Sequence, residues 1–165
     1  MKYDDASWHY DGDFPSDLPI EAGATHIGMF VAWGMLNGFA GELHTDEFPD
    51  ELNALKNRWT TPGQFLINEC DEKFTDEEFN DEGNAFALAY FGETVGVGKY
   101  VSDYEEILGN EAPTLYHIDD TWENFDKLAP VIDRRYREWK AGKLPDVADK
   151  ELGENVDSKP WWKVW

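Results

Sequence analysis

At 165 residues, 41% of them apolar and 15% aromatic, the chain has the length and hydrophobic content of one domain with a sizeable core. That aromatic content excludes an acidic disordered segment, a class poor in such residues. The formal net charge of −21, from 35 Asp and Glu against 14 Lys and Arg, repels nucleic acid and anionic membrane surfaces and attracts basic protein surfaces.

Residues 1–17 read as an ordered loop in which Tyr3, Trp8, Tyr10 and Phe14 alternate with acids and Gly12 and Pro15 break any regular pattern. Asp17 before Leu18-Pro19 predicts a helix start, with the helix running to about Asn37 and stopping at Gly38. Its apolar residues, among them Ile20, Ala24, Ile27, Phe30, Val31 and Trp33, cover most sides and mark it as central. Thr45 or Asp46 is expected to cap a helix over 46–58, and Thr61-Pro62 to start a short third one. Thr75-Asp76-Glu77-Glu78 fits a capping box ahead of a helix carrying Phe79, Phe86 and Tyr90. Gly92, Gly96 and Gly98 then leave two options open near 94–101, a small β-hairpin or a glycine-loosened helix. Tyr104 to Leu108 reads as a short helix or turn. Asp120 or Thr121 caps the last long helix, where Pro130 predicts a kink or two abutting helices. From Gly142 the chain turns polar, ending in Pro160-Trp161-Trp162-Lys163-Val164-Trp165, an aromatic tail expected to dock on its own domain or on a partner. The expected architecture is mainly α: a compact single domain, 1–165, of five or six helices, with the hairpin as the one β option.

Cys70 is the only cysteine, so no internal disulfide is possible. The N-terminus lacks the apolar core of a signal peptide, and no apolar run approaches the ~20 residues of a membrane span. A cytoplasmic location is therefore expected.

The charge is unevenly placed. Tyr3 to Leu55 holds eleven carboxylates and no Lys or Arg, Glu69 to Glu82 holds eight acids against Lys73, and Asp103 to Asp126 adds eight more. Lys127, Arg134, Arg135, Arg137, Lys140 and Lys143 then gather on one helix, a pattern that fits pairing with the acidic segments. The acidic runs are either a solvated face or a surface that occupies a basic groove on another protein.

Motifs for chemistry are few. His9, His26, His44 and His117 show no zinc-binding spacing, and neither Asp-rich segment follows the calcium-loop pattern. His26 falls in the apolar central helix and is expected to be a satisfied core imidazole, bonded to a tyrosine or to Asp126. As a general base it would need a carboxylate and a cleft. Cys70 between Glu69 and Asp71-Glu72 is a poor thiolate. Gly92 to Gly98 lacks the Gly-Lys-Ser/Thr ending of a phosphate loop. No cofactor is expected.

Two early blocks stand out, Lys2-Tyr3-Asp4-Asp5-Ala6-Ser7-Trp8-His9-Tyr10 with Phe14-Pro15, and Ala24-Thr25-His26-Ile27-Gly28-Met29-Phe30 with Ala32-Trp33. Asn80-Asp81-Glu82-Gly83-Asn84-Ala85-Phe86, Tyr100-Val101-Ser102-Asp103-Tyr104 and Thr121-Trp122-Glu123-Asn124 follow later in the chain. Together these blocks resemble an uncharacterised family of small acidic bacterial proteins. Such proteins are similar in style to immunity proteins that neutralise a cognate toxin, an analogy that assigns no residue. Trp8, His26 and Trp33 have a structural account too: the N-terminal loop packs over the central helix.

The expected function is therefore an immunity-type inhibitor that binds a protein toxin with a basic surface, and binds neither nucleic acid nor membrane. Its contacts are expected at Asp71, Glu72, Asp76, Glu77 and Glu78, with Asp103, Glu105 and Glu106 as a second patch. Two alternatives are a metal-assisted hydrolase using His117, Asp119 and Asp120, and a regulatory or scaffold protein docking through the tryptophan-rich tail.

Overall fold

The computed structural model describes residues 1–93 and 98–144. Residues 94–97 of the predicted hairpin and all of the tryptophan-rich tail lie outside them. The chain folds as one mainly helical domain: β1 (Lys2–Asp5), α1 (Thr25–Leu36), α2 (Pro49–Lys56), α3 (Pro62–Glu69), β2 (Lys73–Thr75), α4 (Asp81–Tyr90), α5 (Tyr100–Leu108) and α6 (Trp122–Lys140), with short 3-10 and π turns between. No helix among the described residues is long and apolar enough to cross a membrane.

Helix α1 is the axle. Every residue from Thr25 to Met35 is buried, as a helix apolar on all sides requires. Phe30 sits among Phe74, Phe79, Phe86, Tyr90, Phe91 and Tyr100, with ring centroids 5.0–6.1 Å away, within the range of favourable aromatic pairing. Gly28 lets α3 approach closely, since a Cβ there would lie 2.5 Å from the Pro62 carbonyl oxygen. Gly38, at φ +83°, supplies the left-handed residue after the helix, as predicted.

The start of α1 differs from expectation. Ile20–Ala24 is a 3-10 segment and the α-helix begins at Thr25. Asp17 does not cap it, because its carboxylate lies 3.2 Å from His117 Nε2 instead. Neither Thr45 nor Asp46 caps α2: both lie in a π turn, Leu43–Glu47, and α2 starts at Pro49, whose missing amide suits a first helical position. Thr61 caps α3 and Thr121 caps α6, each accepting from the amide three residues on. Pro130 lies within one continuous α6 on its exposed side, where the freed carbonyl one turn back can be solvated.

The capping box at Thr75 does not form. Thr75 belongs to β2, and the α4 cap is Asn80, whose side chain accepts from Gly83 N at 2.9 Å. The sheet is also not where it was expected. Tyr100 and Val101 open α5, and β2 pairs antiparallel with the N-terminal β1, Asp4 opposite Phe74. A register irregularity between Lys2 and Asp4 lets three consecutive residues, Tyr3, Asp4 and Asp5, all be buried. A regular strand would alternate them. That bulge aims Asp4 into the core.

Candidate functional site

The eight predicted partner-binding acids divide by burial. Asp71 and Glu72 occupy left-handed backbone (φ +50° and +60°) in the turn after α3. Asp71 pairs with Lys73, and Glu72 accepts from the Tyr10 hydroxyl at 3.2 Å. Asp76, Glu77, Glu105 and Glu106 are exposed. Glu78 and Asp103 are buried, which corrects their assignment to a contact surface. Glu78 turns inward onto His44. Asp103 takes two hydrogen bonds from Arg135 (Nε 2.7 Å, Nη2 3.0 Å) and one from the Tyr90 hydroxyl at 2.9 Å, with Lys99 Nζ 3.6 Å away. Burial works to raise the Asp103 carboxyl pKa, but these hydrogen bonds and cations outweigh it and hold it below the ordinary value.

Of the predicted acids, Asp76 and Glu77 line an open cleft of about 660 Å³ between the π turn and the β2–α4 connection. Glu42, Asp46, Glu47 and Asp81 add four more carboxylates to its wall, with Ala40, Leu43 and Phe79 as its apolar part. All six acids are exposed, and no Lys, Arg or His among the described residues lines the cleft. Of these six, Asp76 alone has a cationic partner among the described residues, the Met1 amine at 2.5 Å.

A second arrangement lies in the interior, at the corner where β1 and the following 3-10 turn (Ala6–His9) meet α1. The side chains of Asp4, His9 and His26 are 0%, 5% and 1% exposed. Asp4 Oδ1 lies 3.0 Å from His9 Nε2 and accepts from Asp5 N at 2.8 Å. Asp4 Oδ2 lies 3.4 Å from His26 Nε2. Among the described residues, Asp4 Oδ2 and both His26 ring nitrogens have no hydrogen-bond partner. The imidazoles meet edge to face, 4.7 Å between centroids, and His9 Nδ1 is 2.9 Å from the Tyr116 hydroxyl. Burial pushes the His26 pKa down, more than Asp4 raises it, so the ring is held neutral. Burial alone would raise the Asp4 carboxyl; the adjoining His26 and His9 outweigh it and keep Asp4 below the ordinary carboxylate range.

A third cluster joins His44, Cys70 and Glu78. His44 Nε2 contacts Glu78 closely, with the Cys70 sulfur 4.0 Å from the same nitrogen. Burial, then the Glu78 charge, push the Cys70 thiol well above its ordinary pKa. The thiol stays protonated, which agrees with the sequence reading that Cys70 is no nucleophile.

His117, Asp119 and Asp120 do not bring their ligand atoms together within 4.8 Å. Asp120 instead accepts from Thr61 Oγ1, Gly63 N and Gln64 N, so it anchors the start of α3. His26 has its carboxylate in Asp4, not in Asp126, which pairs with Arg58. The N-terminal loop does pack over α1, but through His9; Trp8 is 44% exposed and Trp33 donates to Asp133 of α6 at 2.8 Å. Asp4 was the residue that sequence reasoning missed. Its one signal is that Lys2-Tyr3-Asp4-Asp5 opens a β-capable run, too short to reveal which face is buried.

No curated protein and no solved structure gives a significant match to this chain. One family model does match, over residues 2–118, a span that includes both histidine clusters and the cleft and stops short of α6. That span is well over half of the chain, and the protein belongs to the family defined by the domain of unknown function DUF7832.

Proposed function

We propose that this protein is an immunity-type inhibitor that binds the basic surface of a cognate bacterial toxin through its acidic cleft. The observation that carries this reading is the cleft itself: six exposed carboxylates around an apolar floor, five of them without a cationic partner among the described residues. Like charges left so close are a standing electrostatic cost that a lysine- or arginine-rich partner relieves. Such a field also raises the association rate. Asp71, Glu105 and Glu106 are exposed as well.

The test is co-expression with the product of the adjacent gene, scored by growth rescue and by recovery of a complex. The reading expects rescue, a complex that weakens steeply with salt, and at least ~10-fold weaker binding, or ~1.4 kcal/mol, when Glu47 and Glu77 are both changed to Lys. If the adjacent gene product is not toxic and no complex is recovered, the immunity reading is removed. A complex indifferent to those reversals would place the contact elsewhere.

A further inference from the structure

We infer that Asp4, His9 and His26 form a binding site for one divalent transition-metal ion, Zn²⁺ by the chemistry of the donors. Two imidazole nitrogens and a carboxylate are a borderline donor set of the kind Zn²⁺ takes in proteins. The three residues come from three elements, β1, the turn after it and α1, and each offers a donor atom within 4.8 Å of the others. Two ligands at about 2.0–2.1 Å from a tetrahedral ion stand about 3.3 Å apart. The separations here are 3.0 Å (Asp4 Oδ1 to His9 Nε2) and 3.4 Å (Asp4 Oδ2 to His26 Nε2).

The second observation is independent of that spacing. Asp4 Oδ2 and His26 Nε2 are completely buried, face one another and, among the described residues, have no hydrogen-bond partner. Buried polar atoms in proteins are nearly always satisfied, and an ion bound between them would satisfy both. Behind His9, the Tyr116 hydroxyl at 2.9 Å from Nδ1 is the outer partner that fixes an imidazole with Nε2 turned to a metal. In the His44–Cys70–Glu78 cluster, by contrast, the nitrogen and carboxylate oxygen that face each other are already bonded to each other.

The test uses the purified full chain, stripped with a chelator and titrated with Zn²⁺ against a chromophoric competitor, with Co²⁺ as a spectroscopic probe. About one Zn²⁺ per chain should bind with a submicromolar Kd, and Co²⁺ should give the intense visible bands of a low-coordinate nitrogen–oxygen site. Asp4→Asn and His26→Gln should weaken binding by more than ~100-fold, and Tyr116→Phe by ~10–100-fold. Cys70→Ser should change nothing. Should the two ligand variants fail to fold, the Co²⁺ spectrum of the unaltered chain and the Tyr116→Phe and Cys70→Ser affinities decide. Absence of Zn²⁺ binding below about 10 μM, affinity unmoved by Tyr116→Phe, or affinity lost with Cys70→Ser would each overturn the assignment.

Discussion

Asp103 and Asp4 are buried to nearly the same degree, 2% and 0% exposed, yet their surroundings are built on opposite plans. Asp103 meets a permanent cation, Arg135, in a two-pronged contact, with Lys99 nearby and Tyr90 donating to the same carboxylate. Among the described residues Asp4 meets two imidazoles and a backbone amide, and one of its oxygens has no hydrogen bond there. Removing a carboxylate from water is costly unless its lone pairs are all met. The Asp103 corner meets that cost within the chain and reads as architecture. The Asp4 corner leaves it open, which is why it reads as a site.

The largest effect should come from breaking the closed pair. Asp103→Ala leaves the Arg135 guanidinium, 12% exposed, without its main partner. Loss of one member of a buried pair costs about 3–5 kcal/mol, read as a lower denaturation midpoint in urea. Asp4→Ala, by contrast, strands no permanent cation, and should cost only the ~1–3 kcal/mol of unsatisfied polar groups. An Asp4→Ala loss equal to that of Asp103→Ala would erase the distinction between the two corners.

Zinc should separate the corners in the other direction. At a free Zn²⁺ concentration of about 100 Kd, the folded chain gains roughly 2.7 kcal/mol. Asp103→Asn should keep that gain and Asp4→Asn should lose it, a difference visible in thermal melts with and without the ion. A gain shared by both variants would place the metal outside the Asp4 corner.

Acid provides a third, smaller contrast. The folded Asp103 carboxyl titrates below its ordinary value, so the unfolded chain binds its proton first as pH falls. Its contribution is then fully present above about pH 3.9, the unfolded value, and is lost as pH drops through the folded one. The stability gap between the unaltered protein and Asp103→Asn should therefore hold constant from neutral pH to about pH 4 and narrow below it. A gap that widens in acid would mean that the carboxyl is buried protonated.

Much of the helical frame was legible because its signals are local. Thr61 and Thr121 mark helix starts by their side-chain oxygens, Gly38 marks a stop by its left-handed backbone, and the all-round apolar surface of α1 marks a centre. What escaped depends on pairing across the chain. The acids at 75–78 looked like a helix start because nothing local reveals that Thr75 would be claimed by Lys2, seventy-three residues away. With that strand in place, Asn80 becomes the cap and Glu78 is turned inward. The same pairing fixes Asp4, one of eleven acids in a run with no basic residue, so no property of its type or spacing sets it apart. His9 and His26 could be singled out as residues. Their common partner could not, because a β-bulge decides it.

The smallest effect on stability should come from Glu77→Lys, and it bears on the surface as distinct from the core. Glu77 and Glu78 are adjacent acids with opposite fates, the first exposed on the cleft wall and the second buried against His44. Glu77 has no ion pair among the described residues, and its reversal places a cation among five like-charged carboxylates. Its effect on unfolding should stay within ~0.5 kcal/mol, with the sign toward stabilisation because local repulsion falls. If the cleft holds a basic partner, the same change should weaken the complex far more than it alters the fold. A chain stabilised by Glu77→Lys yet unable to bind would show that the acidic wall is maintained against folding stability, for the sake of recognition.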